Sequence, residues 1–289
     1  LDNGGSGEST FDAPGSTVKL SHCQFVATMA AGDSIGNSSV MGVAPDADLV
    51  LSSIPNTGGS YKGDDYASDL DAARDLGATV SNNSWGYTQS DSSSFNLTEA
   101  KAYFSAQGWT TNQGFAATLE GSISSNALVY SQQYITALNN FQQTGVVVFS
   151  SGNHKDESDV GLMAGLPELY PELAEAWVAV GVIDFTGSDM ESAVESDFTL
   201  WGNKCGSAKE YCVVADGAQV TGAAGTGTDT YLSGSGSSFS APMVSGGIAL
   251  LAQAFPNHTP EQLTDRLLAS ANNKWFTAEG ETTFTTHGN

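Results

Sequence analysis

Ser238 stands where a glycine-rich loop, Gly234 to Ser237, runs into an apolar segment from Phe239 to Phe255 that is long enough for a four-turn helix. A hydroxyl at such a junction sits beside unpaired N–H groups and the positive end of a helix dipole. That makes Ser238 a candidate nucleophile, with the neighbouring N–H groups as candidate oxyanion donors. The same placement also serves a plain N-cap serine. A serine needs a base to take its proton, and histidine is the usual one. The chain holds His22, His154, His258 and His287. His258 lies between two helical segments, His287 is near the last residue and His154 adjoins Asn153, which leaves His22 as the candidate base.

The elements that must position these residues alternate. Helical spacing is read at Phe25–Ala31, Asp64–Leu76, Ala127–Phe141 and Pro260–Ala271, and strands at Leu49–Ile54, Ala78–Ser84, Val146–Phe149, Trp177–Ile183 and Tyr211–Ala215. Val146–Phe149 is fully apolar, as a buried parallel strand should be. Residues 1 to 20 read as loop, and residues 87 to 125 as an insertion or long surface loop. The alternation predicts a layered α/β domain with a mostly parallel sheet, and chemistry at the carboxyl ends of its strands.

Nine Lys and Arg face 32 Asp and Glu, a net charge of −23. Nucleic acid and anionic membranes are therefore excluded as expected partners. No apolar run of 18 residues occurs, so no membrane insertion by this segment is expected. Cys205 and Cys212 read as a local disulfide, which points to an oxidising compartment; neither has the neighbours of a metal site. Cys23 is left over. Next to His22, it predicts inactivation by bulky thiol reagents.

The serine segment, Gly236-Ser237-Ser238-Phe239-Ser240-Ala241-Pro242-Met243-Val244-Ser245-Gly246, resembles the nucleophile motif of the subtilisin-like serine proteases, G-T-S-M-A-A-P-H-V-[AS]-G. Ser21 to Ala27 is similar to that family's H-G-T-H-V-A-G, with His22 on the catalytic histidine and Val26 and Ala27 also matching. Leu1-Asp2-Asn3-Gly4 resembles its D-[ST]-G, with Asn3 departing; Asp12 is the alternative carboxylate. Gly42 to Leu49 resembles G-V-A-P-x-A-x-[LI]. Asn83-Ser84-Trp85-Gly86 resembles the N-x-S-[WL]-G segment, which pairs with substrate. Val146 to Asn153 resembles V-V-x-A-x-G-N, whose asparagine donates to the oxyanion.

The resemblance implies a three-layer α/β/α fold and a secreted serine endopeptidase acting on protein or peptide substrates. It implies a triad of Asp2, His22 and Ser238, with Asn153 as oxyanion donor. Ser84, Trp85 and Gly86 would form one wall of the cleft, and Ser151 and Gly152 the floor of its first pocket. The motifs arrive in the order Asp, His, Ser, as in subtilisins. Met163–Pro167 and Asn203–Cys212 also resemble the protease passengers of bacterial autotransporters, which implies a secreted or cell-surface location. No cofactor is required for the chemistry. Structural calcium is an option for which no carboxylate loop is specific enough to assign.

The chain reads as one peptidase domain, 1–289, truncated at both ends, with an upstream strand expected to complete the sheet before Asp2. The alternative is a catalytically impaired peptide-binding module on the same fold. Gly32-Asp33-Ser34-Ile35-Gly36 fits G-x-S-x-G, but it follows a helix-like segment and precedes none. It therefore lacks a nucleophile elbow and reads as loop.

Overall fold

A computed structural model of the chain describes residues 10–11, 20–33, 40–52, 62–87, 95–189, 192–223 and 231–271. In chain order the elements are β1 (Thr10–Phe11), β2 (Leu20–Ser21), α1 (His22–Ala31), α2 (Gly63–Asp75), β3 (Val80–Asn83), α3 (Leu97–Gln107), α4 (Thr111–Glu120) and α5 (Ser125–Gln142). There follow β4 (Val146–Ser150), β5 (Trp177–Phe185), β6 (Phe198–Leu200), β7 (Cys212–Asp216), β8 (Val220–Ala223), β9 (Tyr231–Gly234), α6 (Ser237–Ala254) and α7 (Pro260–Ser270).

The main sheet runs β3-β4-β5-β7, with every neighbour parallel; β6 pairs antiparallel with the last residues of β5. Its two faces follow from the period-2 alternation of a strand. Val146, Val148, Val178 and Val180 pack on Ala241, Val244 and Ile248 of α6 and Leu263 of α7. Val147, Phe149, Trp177 and Ala179 turn the other way, against α2 to α5, where Phe104, Phe115, Tyr134 and Phe141 lie. These side chains are fully or almost fully buried. Each large one contributes about 1.5–3 kcal/mol through transfer from water. The result is a sheet between two helical layers, the α/β class expected. The first part of α6, through Ile248, is largely buried: the sheet lies on one flank, and α1 on the other through a 4.0 Å stack of Phe25 on Phe239.

The reading of residues 87–125 as loop is corrected: α3 and α4 occupy it. Both helices carry reciprocal capping boxes. Asn96 accepts the Glu99 N–H at 2.9 Å, and Thr110 accepts the Gln113 N–H at 3.3 Å. Both end on a glycine in the left-handed region, Gly108 (φ 68°) and Gly121 (φ 67°), as αL caps require. The buried faces are short (Leu97, Ala100 and Phe104; Phe115, Ala116 and Leu119), so periodicity alone is weak while the caps are explicit.

The strand expected at Leu49–Ile54 is corrected for its described part. Leu49 to Leu51 form no ladder and Ser52 makes an isolated bridge; Ser53 and Ile54 lie outside the described residues. Among the described residues nothing forms a ladder with the second edge of β3. Strand propensity depends on context, and propensity alone does not hold such a segment in a ladder. Two antiparallel pairs, β1 with β2 and β8 with β9, arise in stretches too short or too polar to read as strands.

The packing of α3 on α4 yields a test. Gly114 of α4 faces the Phe104 ring so closely that a Cβ there would overlap it. On helix propensity alone Gly114→Ala should gain about 1 kcal/mol. Overpacking should instead make it a net loss of about 1–3 kcal/mol, read as a lower Tm. A raised Tm would mean that the two helices do not meet there.

Candidate active site

Ser238 is the second residue of α6, 8% exposed, at the carboxyl ends of β3 and β4. Its position is fixed by an irregularity in its own helix. Pro242 lies inside α6 and has no N–H to give to the carbonyl four residues back, which is that of Ser238. The released Ser238 carbonyl accepts the Ser84 hydroxyl at 2.9 Å, while the Ser238 hydroxyl donates to the Ser84 carbonyl at 3.2 Å. Behind this pair, Asn82 Nδ2 donates to Ser84 Oγ at 2.9 Å, and the Ser245 hydroxyl donates to Asn82 Oδ1 at 2.9 Å. Asn82, Ser84, Ser238 and Ser245 are all buried, so these bonds form where water cannot substitute for them.

A second clamp joins α6 to the loop after β4. The Ser237 N–H donates to Asn153 Oδ1 at 2.7 Å, and the Ser237 hydroxyl donates to the same oxygen at 2.8 Å. Ser237 Oγ also accepts the Gly152 N–H at 3.1 Å. A backbone N–H can only donate, so the Asn153 atom it meets is the amide oxygen. The NH₂ of Asn153 is thereby turned away from Ser237; it bonds no partner among the described residues and borders the cleft.

His22 opens α1 and is 8% exposed, its ring centroid 6.0 Å from that of Phe239. The contact of α1 with α6 brings it to the same cleft as Ser238 and Asn153, a cavity of about 1190 Å³. Ser84, Trp85 and Gly86 line this cleft, as do Ser151, Gly152 and Gly161. Trp85 is held by a stack on Tyr66 (5.0 Å, 14°) and an edge contact with Phe149. Burial, then Glu120 and Asp65, push the Tyr66 phenol up to about 12, and burial first of all raises Tyr87 further. Both therefore stay neutral near neutral pH.

Asp2 and Asp12 both lie outside the described residues, as do Ser34 and His287. His154 is exposed on the loop after β4, and His258 sits against Phe255 and Arg266 between α6 and α7. Cys205 and Cys212 are joined, their Cα atoms 5.9 Å apart. Cys23 is 4% exposed, so its expected reaction with bulky thiol reagents is corrected: the folded chain shields it. Among the described residues no group of three His, Cys, Asp or Glu side chains is placed to hold a metal ion. Asn82 went unnoticed in the sequence, and Ser245 was read only as part of the serine motif, since nothing local marks a polar side chain that bonds across elements. Pro242 inside an apolar helix was the available signal for a displaced carbonyl.

A parallel α/β sheet with a serine, a histidine and an amide donor gathered at its strand ends has the layout of a serine-type hydrolase. Residues 6–287 match the Subtilase family, peptidase S8, and the chain belongs to that family. Solved structures of similar fold include the S218A mutant of the protease domain of PatA. It is 20% identical, with TM-score 0.59, over 94% of this chain and 78% of that one. The prenylagaramide maturation protease PagA is 19% identical, with TM-score 0.57, over 87% and 72%. Sphericase is 18% identical, with TM-score 0.54, over 85% and 67%. Serotype-specific antigen 1 of Mannheimia haemolytica is 30% identical over 131 residues, 44% of this chain but only 13% of that protein's length.

Ser84→Ala should strand the Ser238 carbonyl and cost about 1–3 kcal/mol of stability. Adding Pro242→Ala restores an N–H for that carbonyl and should recover part of the loss. Thermal unfolding of the two single variants and the double variant checks this; strictly additive changes in Tm would dismiss the exchange of partners.

Proposed function

We propose that this chain is a serine endopeptidase that cleaves peptide bonds through an acyl-enzyme. Ser238 attacks the carbonyl carbon while His22 takes the hydroxyl proton; His22 then returns that proton to the leaving amine. Water, activated by the same imidazole, releases the acyl group. The observation that carries the reading is the orientation of Asn153. Its oxygen is engaged by Ser237, so its NH₂ is left for an oxyanion formed beside the start of α6. The positive end of the α6 dipole adds to that stabilisation. Asp2 is the carboxylate proposed to orient His22, with Asp12 the alternative. Ser84 to Gly86 would pair with an extended substrate backbone, and Ser151 and Gly152 would floor the pocket for the side chain before the scissile bond.

A secreted or cell-surface setting is part of this proposal. It is supported by the Cys205–Cys212 disulfide, by the acidic surface and by the partial likeness to a bacterial antigen. No helix among the described residues is long and apolar enough to cross a membrane. The autotransporter passenger remains the narrower version of the same proposal.

A fluorophosphonate should label the chain at Ser238, and Ser238→Ala should lower kcat on casein by about 10⁶, a scale set by subtilisin itself. Asn153→Ala should lower kcat roughly 10²–10³-fold with KM little changed, again on the subtilisin scale. Undiminished casein hydrolysis by Ser238→Ala would end the reading. Peptide binding with neither labelling nor turnover would establish the non-catalytic module in its place.

A further inference from the structure

We propose that Asn203 is a positioning residue for the oxyanion amide of Asn153; this rests on the reading of Asn153 just given. Asn153 is itself exposed, so packing does not hold it. What holds it is a set of hydrogen bonds to one wholly buried side chain and its backbone. The Asn203 N–H donates to the Gly152 carbonyl at 3.1 Å. Asn203 Oδ1 accepts the His154 N–H at 3.0 Å. These two groups belong to the two peptide planes on either side of the Asn153 Cα.

The backbone of a residue has only two soft dihedrals, and they are set by the orientations of its flanking planes. By holding both planes, Asn203 fixes φ and ψ of Asn153 and hence the direction of its Cα–Cβ bond. Ser237 fixes the far end of the same side chain through its oxygen. Asn153 is therefore gripped at both ends, and only its NH₂ is left to meet a ligand.

The rest of Asn203 anchors this grip to the scaffold. Its Nδ2 donates to the Asp159 carbonyl at 2.9 Å, and its carbonyl accepts the Ser151 hydroxyl at 3.4 Å. Asp159, also buried, accepts the Ser207 N–H at 2.8 Å and the Thr98 hydroxyl at 2.6 Å. The support so reaches α3 and the Cys205–Cys212 loop. Asparagine suits this place because its side chain offers an acceptor and a donor on one planar group. Asn203→Asp would present an oxygen to the Asp159 carbonyl, and Asn203→Leu would satisfy neither partner.

The test measures kcat and KM on a peptide substrate, per site titrated with fluorophosphonate, for Asn203→Ala, Asn153→Ala and the double variant. Asn203→Ala should lower kcat roughly tenfold to a hundredfold, the scale for small misplacement of a catalytic group, with KM unchanged. In the Asn153→Ala background the same substitution should cost less than about twofold, since the two act through one interaction. Losses that multiply in the double variant, or full kcat per titrated site in Asn203→Ala, would overturn the assignment.

Where Asn203→Ala gives no titratable enzyme, Asn203→Ser, which keeps an acceptor at the first side-chain position, is read in the same way. If both variants lack titratable sites while Asn153→Ala retains them, the role is structural only and the proposal fails. Full kcat in Asn153→Ala alone would instead remove the oxyanion reading beneath it.

Discussion

The site depends on a carbonyl that its own helix cannot satisfy. Pro242 interrupts the hydrogen-bond ladder of α6 one turn after Ser238, and a buried carbonyl without a donor is costly. The cost is offset from outside the helix, by the hydroxyl of Ser84 at the end of β3. Because that donor belongs to the sheet, the first turn of α6 is tied to the sheet and not merely packed against it. The proline thus converts a local defect into a tertiary constraint on where the serine hydroxyl lies.

The constraint works only because the sheet is rigid. β4 and β5 are apolar on both faces, with helices over each, so their carboxyl ends are fixed relative to one another. Two consecutive strand ends then feed the cleft: Ser84 follows β3, and Gly152 and Asn153 follow β4. Ser84 bonded to Ser238, Asn82 bonded to Ser245, and Asn153 bonded to Ser237 fasten α6 to them. Helix α1 packs on α6 through Phe25 on Phe239, and it brings His22 to the cleft. Polar bonds set the serine and the amide; the aromatic stack sets the histidine.

The cleft itself divides by chemistry. Around Ser238 it is polar, whereas around Trp85 it is aromatic. On the aromatic side the phenols of Tyr66 and Tyr87 are kept neutral first of all by burial, and Glu120 adds to the shift of both.

Much of this was legible in the residues alone. The apolar run of β4 announced a buried strand, the glycine-rich entry to α6 announced its exposed start, and the spacing of Asp64 to Leu76 announced α2. The motifs around Ser238, His22 and Asn153 carried the family. Each of these signals is local, because periodicity and turn chemistry act over a few residues. α3 and α4 were missed although Asn96 with Glu99 and Thr110 with Gln113 spelled out their caps; their apolar faces were too short to outweigh polar surroundings. Leu49 to Leu51 had the composition of a strand and did not become one, because strand propensity depends on context and does not by itself place a segment in a ladder. What the tertiary structure alone decided is which groups meet: Ser84 with the carbonyl freed by Pro242, Ser237 with the oxygen of Asn153, and Asn203 with both peptide planes beside it. Those partners are dozens of residues or more apart, and no pattern in the chain links them. A hydrogen bond depends on the distance and direction that folding sets, and sequence separation does not encode either.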